Sequence, residues 1–342
     1  MTRQQITRFM ENYEALYPGK SLELIETHIS WVLLARDEVF KIKKPLHFSF
    51  LDFSTLEKRK HFCEREVELN RRLATDMYRG VVGIRESDGQ LAAHGQKGKL
   101  IDYAVWMRRM DETRQLDHVL EKGEVGAEDI QELARLVAGF HHRAEVVTQA
   151  EDWLELYREF ADLKSVLPVL DACLGPGARG VINGVLSHAR DFLKGLAARI
   201  EERKASGFVR DGHGDLHCRN ILMTHPPVIF DCIEFSDDLR TLDVLSEIGF
   251  LCMDLERFGR GDLSEVFSGE YLQHFRCVEN EADRNLLLFY KMYRANVRIK
   301  VTALALEPSV SDRRPDPGLV AVLQSYYGLF RGYARNFAGN PI

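Results

Sequence analysis

The chain has 342 residues, 45% of them hydrophobic and 29% charged, which suits a globular protein with a large buried core in two lobes. Its formal net charge of −6 at pH 7 makes a nucleic-acid partner unexpected. There is no apolar run near the roughly 20 residues of a membrane span and no disulfide pattern among six cysteines, so we expect a cytoplasmic protein with no membrane partner.

The first informative element is a predicted strand, Glu38–Lys43, whose side chains alternate between two faces. Val39, Lys41 and Lys43 share one face, and apolar residues occupy the other. Two lysines on one face can bind an anionic ligand. The competing interpretation is a basic edge strand whose lysines discourage aggregation.

Residues 55–77 are predicted to form a helix in which Phe62, Leu69 and Leu73 make an apolar stripe. Glu66 falls inside that stripe. A carboxylate on a core-facing stripe is costly unless it is paired, and a lysine of the preceding strand is the obvious partner. Alternatively, Glu66 lies at the margin of the stripe and bends out to water.

The most specific pattern is His213-Gly-Asp-Leu-His-Cys-Arg-Asn220, which has the H-x-D-L-x-x-x-N spacing of a phosphotransferase catalytic loop. In such a loop one carboxylate receives the proton of the acceptor hydroxyl, and Asp215 is the candidate. Asn220 would offer its amide oxygen to Mg²⁺, and His213 would hold the loop by hydrogen bonds. The plain alternative is a surface turn, because Asp, Gly and Asn are common turn residues.

A short predicted strand, residues 228–234, follows the loop and carries Asp231. Mg²⁺ is commonly bound through one or two carboxylates plus substrate phosphates. Asp231 is therefore the predicted main metal ligand. Glu234 would either aid the metal or anchor its loop.

A transition-metal site is another interpretation of this region. The side chains of suitable type are His213, Asp215, His217, Cys218 and Cys232. They form a single cluster, whereas structural zinc sites usually pair their ligands in two clusters, and a binuclear hydrolase would need a later G-N-H.

The runs HGDLHCRNI (213–221) and IFDCIEF (229–235) resemble the aminoglycoside phosphotransferase and choline kinase superfamily. The segments similar to a poorly characterised bacterial branch of it are residues 27–34, 39–45, 50–73 and 235–245. Some members of that branch carry an added P-loop domain. We expect none here, because Glu14 stands where the first glycine of G-x-x-x-x-G-K-[ST] would be.

The resemblance implies a protein-kinase-like, two-lobed α+β fold. Residues 1–110 would form an N-lobe with a small antiparallel sheet and one long helix. Residues 111–342 would form a larger, mainly helical C-lobe that includes the catalytic loop 213–220 and the metal strand 228–234. ATP with Mg²⁺ would bind in the cleft, with GTP as an alternative nucleotide, and Asp243 would be a structural brace or a helix N-cap.

A nucleotide site of this kind needs a strand lysine and a helix glutamate that order the phosphates. Lys41 is the predicted phosphate ligand, with Lys43 as the alternative, and Glu66 is the predicted partner of the lysine. Val39, on the same face as the lysines, and Met107, at the end of an apolar strand, would contact the adenine.

The predicted function is Mg-ATP-dependent transfer of the γ-phosphate to a hydroxyl of a small-molecule acceptor. Two alternatives stay open: a catalytically weak nucleotide-binding regulatory module, and a kinase acting on a protein. Arg294 and Arg298 share a helical face and either bind an anionic substrate or simply solvate that side. His141 and His142 are interpreted as packing or capping residues.

Overall fold

The computed structural model describes residues 1–48, 51–149, 152–311 and 315–337. The helices are α1 (Arg3–Leu16), α2 (Leu56–Asn70), α3 (Leu116–Glu121), α4 (Ala127–Arg143), α5 (Trp153–Ala161), α6 (Leu167–Leu174), α7 (Gly177–Gly195), α8 (Ala197–Ala205), α9 (Val244–Arg257), α10 (Gly261–His274), α11 (Glu281–Ser311) and α12 (Pro317–Phe337). The strands are β1 (Glu23–Glu26), β2 (Ser30–Leu34), β3 (Glu38–Lys43), β4 (His47–Phe48), β5 (Leu51–Asp52), β6 (Tyr78–Ser87), β7 (Gln90–Ala92), β8 (Lys99–Arg108), β9 (Val209–Asp211), β10 (Ile221–Leu222), β11 (Val228–Ile229) and β12 (Thr241–Asp243). Short 3-10 helices cover Glu112–Arg114, Asp162–Val166 and Cys218–Asn220.

The chain divides into two compact units. The first unit contains residues 1–115 together with 220–239, and the second contains residues 116–219 and 240–342. The segment 220–239, which its sequence position assigned to the C-lobe, therefore belongs to the first unit. The predicted combination of an antiparallel sheet in one part and a mainly helical second part is confirmed.

A six-stranded antiparallel sheet in the order β1-β2-β3-β8-β6-β7 is the framework of the first unit. On β3 and β8, Val39 lies opposite Met107 and Lys41 lies opposite Val105. Phe40 packs into an apolar core shared with α1, whereas Val39 packs into a core shared with α2. The predicted alternation of β3 is confirmed, and its lysines face the α2 side.

A helix that the sequence analysis did not predict, α1, covers the other face of this sheet. The Thr2 hydroxyl accepts the Gln5 backbone N–H (3.3 Å), and the Gln5 side chain accepts the Thr2 N–H (2.8 Å). This capping box satisfies two backbone donors at the helix start. Ile6, Phe9 and Tyr13 recur at helical spacing and are buried.

Helix α2 begins after its N-cap Thr55, whose hydroxyl accepts a backbone N–H of the first turn (3.2 Å). The sequence predicted a helix to residue 77, but α2 ends at Asn70. The Asn70 side chain donates to the Glu66 carbonyl (2.9 Å) and accepts the Cys232 backbone N–H (2.9 Å). The last residue of α2 thus holds the segment 220–239.

The strand predicted to precede the metal ligand Asp231 is shorter than the predicted span 228–234. Only Val228–Ile229 is extended, and it pairs antiparallel with Ile221–Leu222. Two residues later Asp231 has a φ of +64°, in the left-handed region. Because that conformation cannot continue an extended strand, the ladder stops before Asp231.

In the second unit, helix α9 is buried along nearly its whole length and packs against α10 and α11. Its N-cap is Asp243, whose side chain accepts the Leu245 N–H (2.8 Å). The same carboxylate pairs with Arg203 (2.6 Å). Asp243 therefore fills both roles that the sequence left open, cap and brace.

All six cysteines are free thiols, and five of them are buried. Burial raises the pKa of the Cys218 thiol well above its usual value, and the neighbouring Asp254 carboxylate raises it further. Within the described ranges, no helix combines the length and the apolar character needed to cross a bilayer.

Candidate functional site

The structure brings Lys41, Glu66 and Asp231 together in the first unit. Lys41 Nζ lies 2.9 Å from Glu66 Oε1 and 2.6 Å from Asp231 Oδ1. Glu66 projects from α2 and is fully buried, so its pairing offsets the cost of removing a carboxylate from water. The strand lysine, the helix glutamate and the carboxylate of the segment 220–239 therefore meet at one point.

Lys43 joins the same cluster from the next position on that face of β3. Its Nζ lies 2.7 Å from Glu66 Oε2, contacts the Glu234 carboxylate, and lies 4.9 Å from the centre of the Phe53 ring. Lys43 is fully buried, whereas 14% of the Lys41 side chain is exposed. Each lysine thus takes one oxygen of Glu66, and Lys41 is the one that can reach a ligand from solvent.

The pKa values of this cluster follow from charges confined out of water. Burial alone would raise the pKa of Glu66, but the two lysines outweigh burial and lower that pKa to about 2. Burial alone would lower the pKa of Lys41, but Asp231 and Glu66 outweigh it and raise that pKa. Burial and the charge of Glu66 raise the pKa of Glu234 despite its contact with Lys43. The carboxylates of Glu66, Asp231 and Glu234 thus share two lysines. Of the two buried carboxylates, Glu234 has the higher pKa and Glu66 the lower one.

Asp231 and Asn220 lie at the same end of the β10–β11 ladder. The Asn220 carbonyl accepts the Phe230 backbone N–H (2.9 Å), and the Asp231 backbone N–H donates to the Tyr78 hydroxyl (3.3 Å). The Asp231 side chain is 45% exposed. Its left-handed backbone is the kind of strained conformation that functional sites retain.

The donor set fits Mg²⁺ and does not fit zinc. Asn220 and Asp231 offer hard oxygen atoms, which Mg²⁺ prefers. Among the residues that the structure describes, no three His, Cys, Asp or Glu side chains are grouped to hold an ion alone. Such a site would be completed by substrate phosphates.

An apolar cluster lies on the same side of the sheet as the lysines. Val39 and Met107 are buried there with Tyr78, and Val32 and Phe230 pack against them while partly exposed. This is the kind of surface that an adenine ring requires. The structure therefore places the predicted base-contacting residues beside Lys41 in the first unit.

The candidate base, Asp215, belongs to the second unit. Asp215 Oδ2 lies 3.3 Å from His217 Nε2. The Asp215 backbone N–H donates to His213 Nδ1 (3.3 Å). Burial would raise the pKa of Asp215, but His217, Arg298 and His213 outweigh burial and hold that pKa below its usual range. Asp215 is therefore an anion at neutral pH.

Two carboxylates of α9 hold the backbone of the loop 213–218. Glu247 Oε1 accepts the backbone N–H of His213 (2.8 Å) and of Gly214 (2.7 Å), and Asp254 accepts that of Cys218 (2.9 Å). Glu247 and Asp254 are seven residues apart and lie on one side of the helix. Neither residue was predicted from the sequence, although two carboxylates at this spacing in an apolar helix were a usable signal.

His141, interpreted from the sequence as a packing or capping residue, is part of this support. It is fully buried and donates from Nε2 to Glu247 Oε2 (2.7 Å), while its Nδ1 lies 2.7 Å from the Tyr271 hydroxyl. Glycine is needed at position 212, because a Cβ atom there would lie 2.5 Å from Glu247 Oε2. His142, in contrast, is exposed and contacts a backbone carbonyl.

Arg294 and Arg298 have different surroundings in the structure. Arg294 is buried and donates to the Gly214 carbonyl (3.3 Å) and to the Ser246 hydroxyl (3.2 Å). It neither solvates the helix nor forms an open anion clamp. Arg298 is partly exposed and stacks on Tyr326, 5.5 Å from the ring centre.

Comparison with known sequences identifies relatives without an assigned activity. No protein-family model matches the chain. Uncharacterized proteins of Mycobacterium bovis and of two Mycobacterium tuberculosis strains are 33% identical over 285 residues, covering 82% of this chain and 54% of theirs. The chain thus spans about half the length of the curated relatives it matches.

Comparison with solved structures identifies the fold. A choline/ethanolamine kinase family protein from Mesorhizobium loti has a TM-score of 0.55 and 15% identity, covering 98% of this chain and 97% of that one. A thermostable mutant of aminoglycoside phosphotransferase APH(4)-Ia has a TM-score of 0.55 and 14% identity, covering 97% and 100%. Plasmodium vivax ethanolamine kinase has a TM-score of 0.53 and 9% identity, covering 97% and 91%. The predicted kinase-like α+β fold, and the resemblance to this superfamily at the level of fold, are confirmed.

The first expected outcome concerns Glu247 and pH. Burial alone would raise the pKa of Glu247, but His141, His213 and a backbone N–H lower it from 4.5 to about 2. A lowered carboxyl pKa adds stability above pH 4.5 that is lost as pH falls towards 2. Glu247→Gln should therefore lower the free energy of unfolding by about 3 kcal/mol at pH 7.

Urea denaturation at pH 7, 4.5 and 3 would measure this difference. The gap between the parent protein and Glu247→Gln should shrink as the pH falls. The exposed Glu265→Gln is the matched control in the same unit and should change the free energy of unfolding by less than about 0.5 kcal/mol. A gap that stays constant with pH would contradict the electrostatic account.

The second expected outcome concerns Lys43. Lys43→Met leaves Glu66 and Glu234 with one lysine fewer in a buried cluster, so the free energy of unfolding should fall by about 3–5 kcal/mol. Lys60→Met is the control, because Lys60 is 49% exposed and its pair with Glu64 lies at the surface; its cost should stay below about 1 kcal/mol. Adding Glu234→Gln to Lys43→Met should recover part of the loss, and an unchanged double variant would argue against charge as the cause.

Proposed function

We propose that this protein is a Mg-ATP-dependent phosphotransferase that moves the γ-phosphate to a hydroxyl of a small-molecule acceptor. The observation that carries the proposal is the meeting of Lys41, Glu66 and Asp231, next to an apolar cluster suited to a base. The fold shared with choline/ethanolamine kinase and aminoglycoside phosphotransferase structures supports it.

In this proposal the first unit binds the nucleotide and the metal. Lys41 binds the phosphates and Glu66 orients it, while Val39 and Met107 contact the adenine, or the guanine if GTP is used. Asn220 and Asp231 hold Mg²⁺. When bound, Mg²⁺ neutralises the charge of the polyphosphate.

Lys43 has a supporting role in the same proposal. In the structure Lys41 is paired with Asp231, so binding of phosphates by Lys41 requires that ion pair to open. Glu66 keeps its contact with Lys41, but it then shares that positive charge with the phosphates. Because Lys43 keeps its own contact with Glu66, the buried glutamate remains compensated while Lys41 changes partner.

The second unit supplies the proton acceptor. Asp215 takes the proton of the acceptor hydroxyl, and its lowered pKa keeps it unprotonated at neutral pH. A positioned general base contributes about 10²–10⁴-fold to rate. His213, Glu247 and Arg294 position the loop that carries Asp215 and do not take part in the proton transfer.

The third expected outcome tests binding and transfer separately. Calorimetry with ATP and with GTP should show nucleotide binding that depends on Mg²⁺ and is lost in Asp231→Ala. Asp215→Asn should bind nucleotide as the parent protein does, yet transfer labelled γ-phosphate to a panel of hydroxylated metabolites about 10²–10⁴-fold more slowly.

These measurements discriminate the alternatives. An Asp215→Asn variant that retains its biological activity, while Asp231→Ala loses it, would indicate a regulatory nucleotide-binding module. Transfer to a protein substrate but to no metabolite would indicate a protein kinase. Folded protein that binds neither nucleotide would contradict the phosphotransferase proposal.

The fourth expected outcome concerns competition for Asp231. In the structure the Lys41 ammonium occupies Asp231, the proposed metal ligand. Lys41→Met should therefore increase the affinity for Mn²⁺ in the absence of nucleotide. The expected increase is about tenfold or more, as for the loss of one charge-assisted hydrogen bond. The same variant should bind ATP more weakly. Electron paramagnetic resonance of free Mn²⁺ gives the affinity, with Lys60→Met as the control, and equal Mn²⁺ affinities would show that Lys41 does not compete with metal.

A further inference from the structure

A pocket of the first unit lies on the face of the sheet opposite the lysines. Glu38 and Phe40 alternate with Lys41 along β3, so their side chains point to the α1 side. Residues of α1, β3 and β7 line the pocket, whose internal volume is about 20 Å³. This is little more than the room that one water molecule needs, so only the end of a ligand, a group the size of an ammonium, fits inside it.

The pocket contains a carboxylate that has no strong counter-charge. The Tyr13 hydroxyl donates to Glu38 Oε1 (3.0 Å) and the Trp106 indole N–H donates to Oε2 (2.7 Å). Both donors are neutral. Among the described residues, no lysine or arginine lies within 4.0 Å of Glu38, and His94 Nε2 approaches to 3.9 Å.

This carboxylate is therefore suited to a cationic donor. Only 22% of the Glu38 side chain is exposed, so its charge is partly removed from water, which is costly without compensation. A carboxylate has about four acceptor positions, and the two neutral bonds leave positions free. An ammonium group could supply both the missing charge and further hydrogen bonds.

The aromatic residues around Glu38 also favour a cation. Phe40 and His94 have ring centres 5.8 Å apart, His94 and Trp106 4.6 Å apart, and Tyr17 stands at the rim, 46% exposed. Aromatic faces attract ammonium and guanidinium groups.

Two backbone features point the same way. Helix α1 ends beside the pocket at Leu16, and its last turn contains no basic residue, so the partial negative charge of the helix C-terminus is not offset. His94 has a φ of +62°, a conformation that is uncommon outside glycine and tends to occur at functional sites.

We propose that this pocket binds a primary alkylammonium group, the end of a small aliphatic amine or diamine. The ammonium donates to Glu38 and lies against the aromatic rings. A quaternary ammonium is disfavoured because it has no N–H to donate. The proposal concerns the α1 face of the sheet and is independent of the phosphotransferase assignment.

Indole NMR tests the proposal at the residue that bonds to Glu38. The chain has three tryptophans, so selective ¹⁵N labelling gives few signals, and Trp106→Phe identifies the Trp106 resonance. We expect n-butylammonium chloride to shift this resonance saturably. An equal volume fraction of n-butanol should not, and tetramethylammonium should bind more weakly.

Matched variants test the role of charge. Glu38→Gln keeps the shape of the side chain and should weaken n-butylammonium binding by about tenfold or more, the value of a charge-assisted hydrogen bond. Glu23→Gln, on the exposed strand β1, should leave binding unchanged. Should Glu38→Gln fail to fold, Tyr17→Ala at the exposed rim serves instead and should weaken binding severalfold.

Three results would overturn the proposal. One is a Trp106 resonance that does not move with n-butylammonium in folded protein. Another is an equal shift with n-butanol, which would mean apolar contact alone. The last is equal affinity for tetramethylammonium, which would mean that no hydrogen bond to Glu38 is formed.

Discussion

The first unit depends on charges that cannot be separated from one another. Glu66 and Lys43 are fully buried, and either would cost several kcal/mol if left alone in the interior. Their partners come from β3, α2 and the segment 220–239, which are far apart in sequence. This requirement explains why 220–239 packs with the N-terminal residues, and the bond from Asn70 to the Cys232 backbone fixes the same segment from α2.

The loop that carries Asp215 is held by a different kind of interaction. In the first unit the contacts are ion pairs between lysine and carboxylate side chains. In the second unit Glu247 and Asp254 of α9 accept backbone N–H groups of the loop. Side-chain pairs can change partners, as proposed for Lys41, whereas backbone groups tied to a buried helix cannot. The cluster around Lys41 therefore permits exchange of cations, while Asp215 stays fixed.

Local patterns in the sequence were sufficient for the features that one element defines. Three features were read from one element each. They are the alternation of β3, the position of Glu66 within an apolar helical stripe and the residue spacing of the loop 213–220. Asn70 was missed because its partner, the Cys232 backbone N–H, is distant in sequence and leaves no local pattern. The spacing of Glu247 and Asp254 in an apolar helix was a local signal, but it does not identify the distant backbone groups that they bind. Strand alternation could not rank Lys41 above Lys43 either, since it places both on one face; their different exposure required the packed structure.

The alternation of β3 also limits how this protein can evolve. A single residue inserted or deleted within Glu38–Lys43 would exchange the two faces of the rest of the strand. The lysines would then enter the apolar core beneath α1, and Glu66 and Glu234 would lose their counter-ions. Length variation among descendants of this chain should thus be confined to the turns on either side of β3, while the strand itself keeps its exact length.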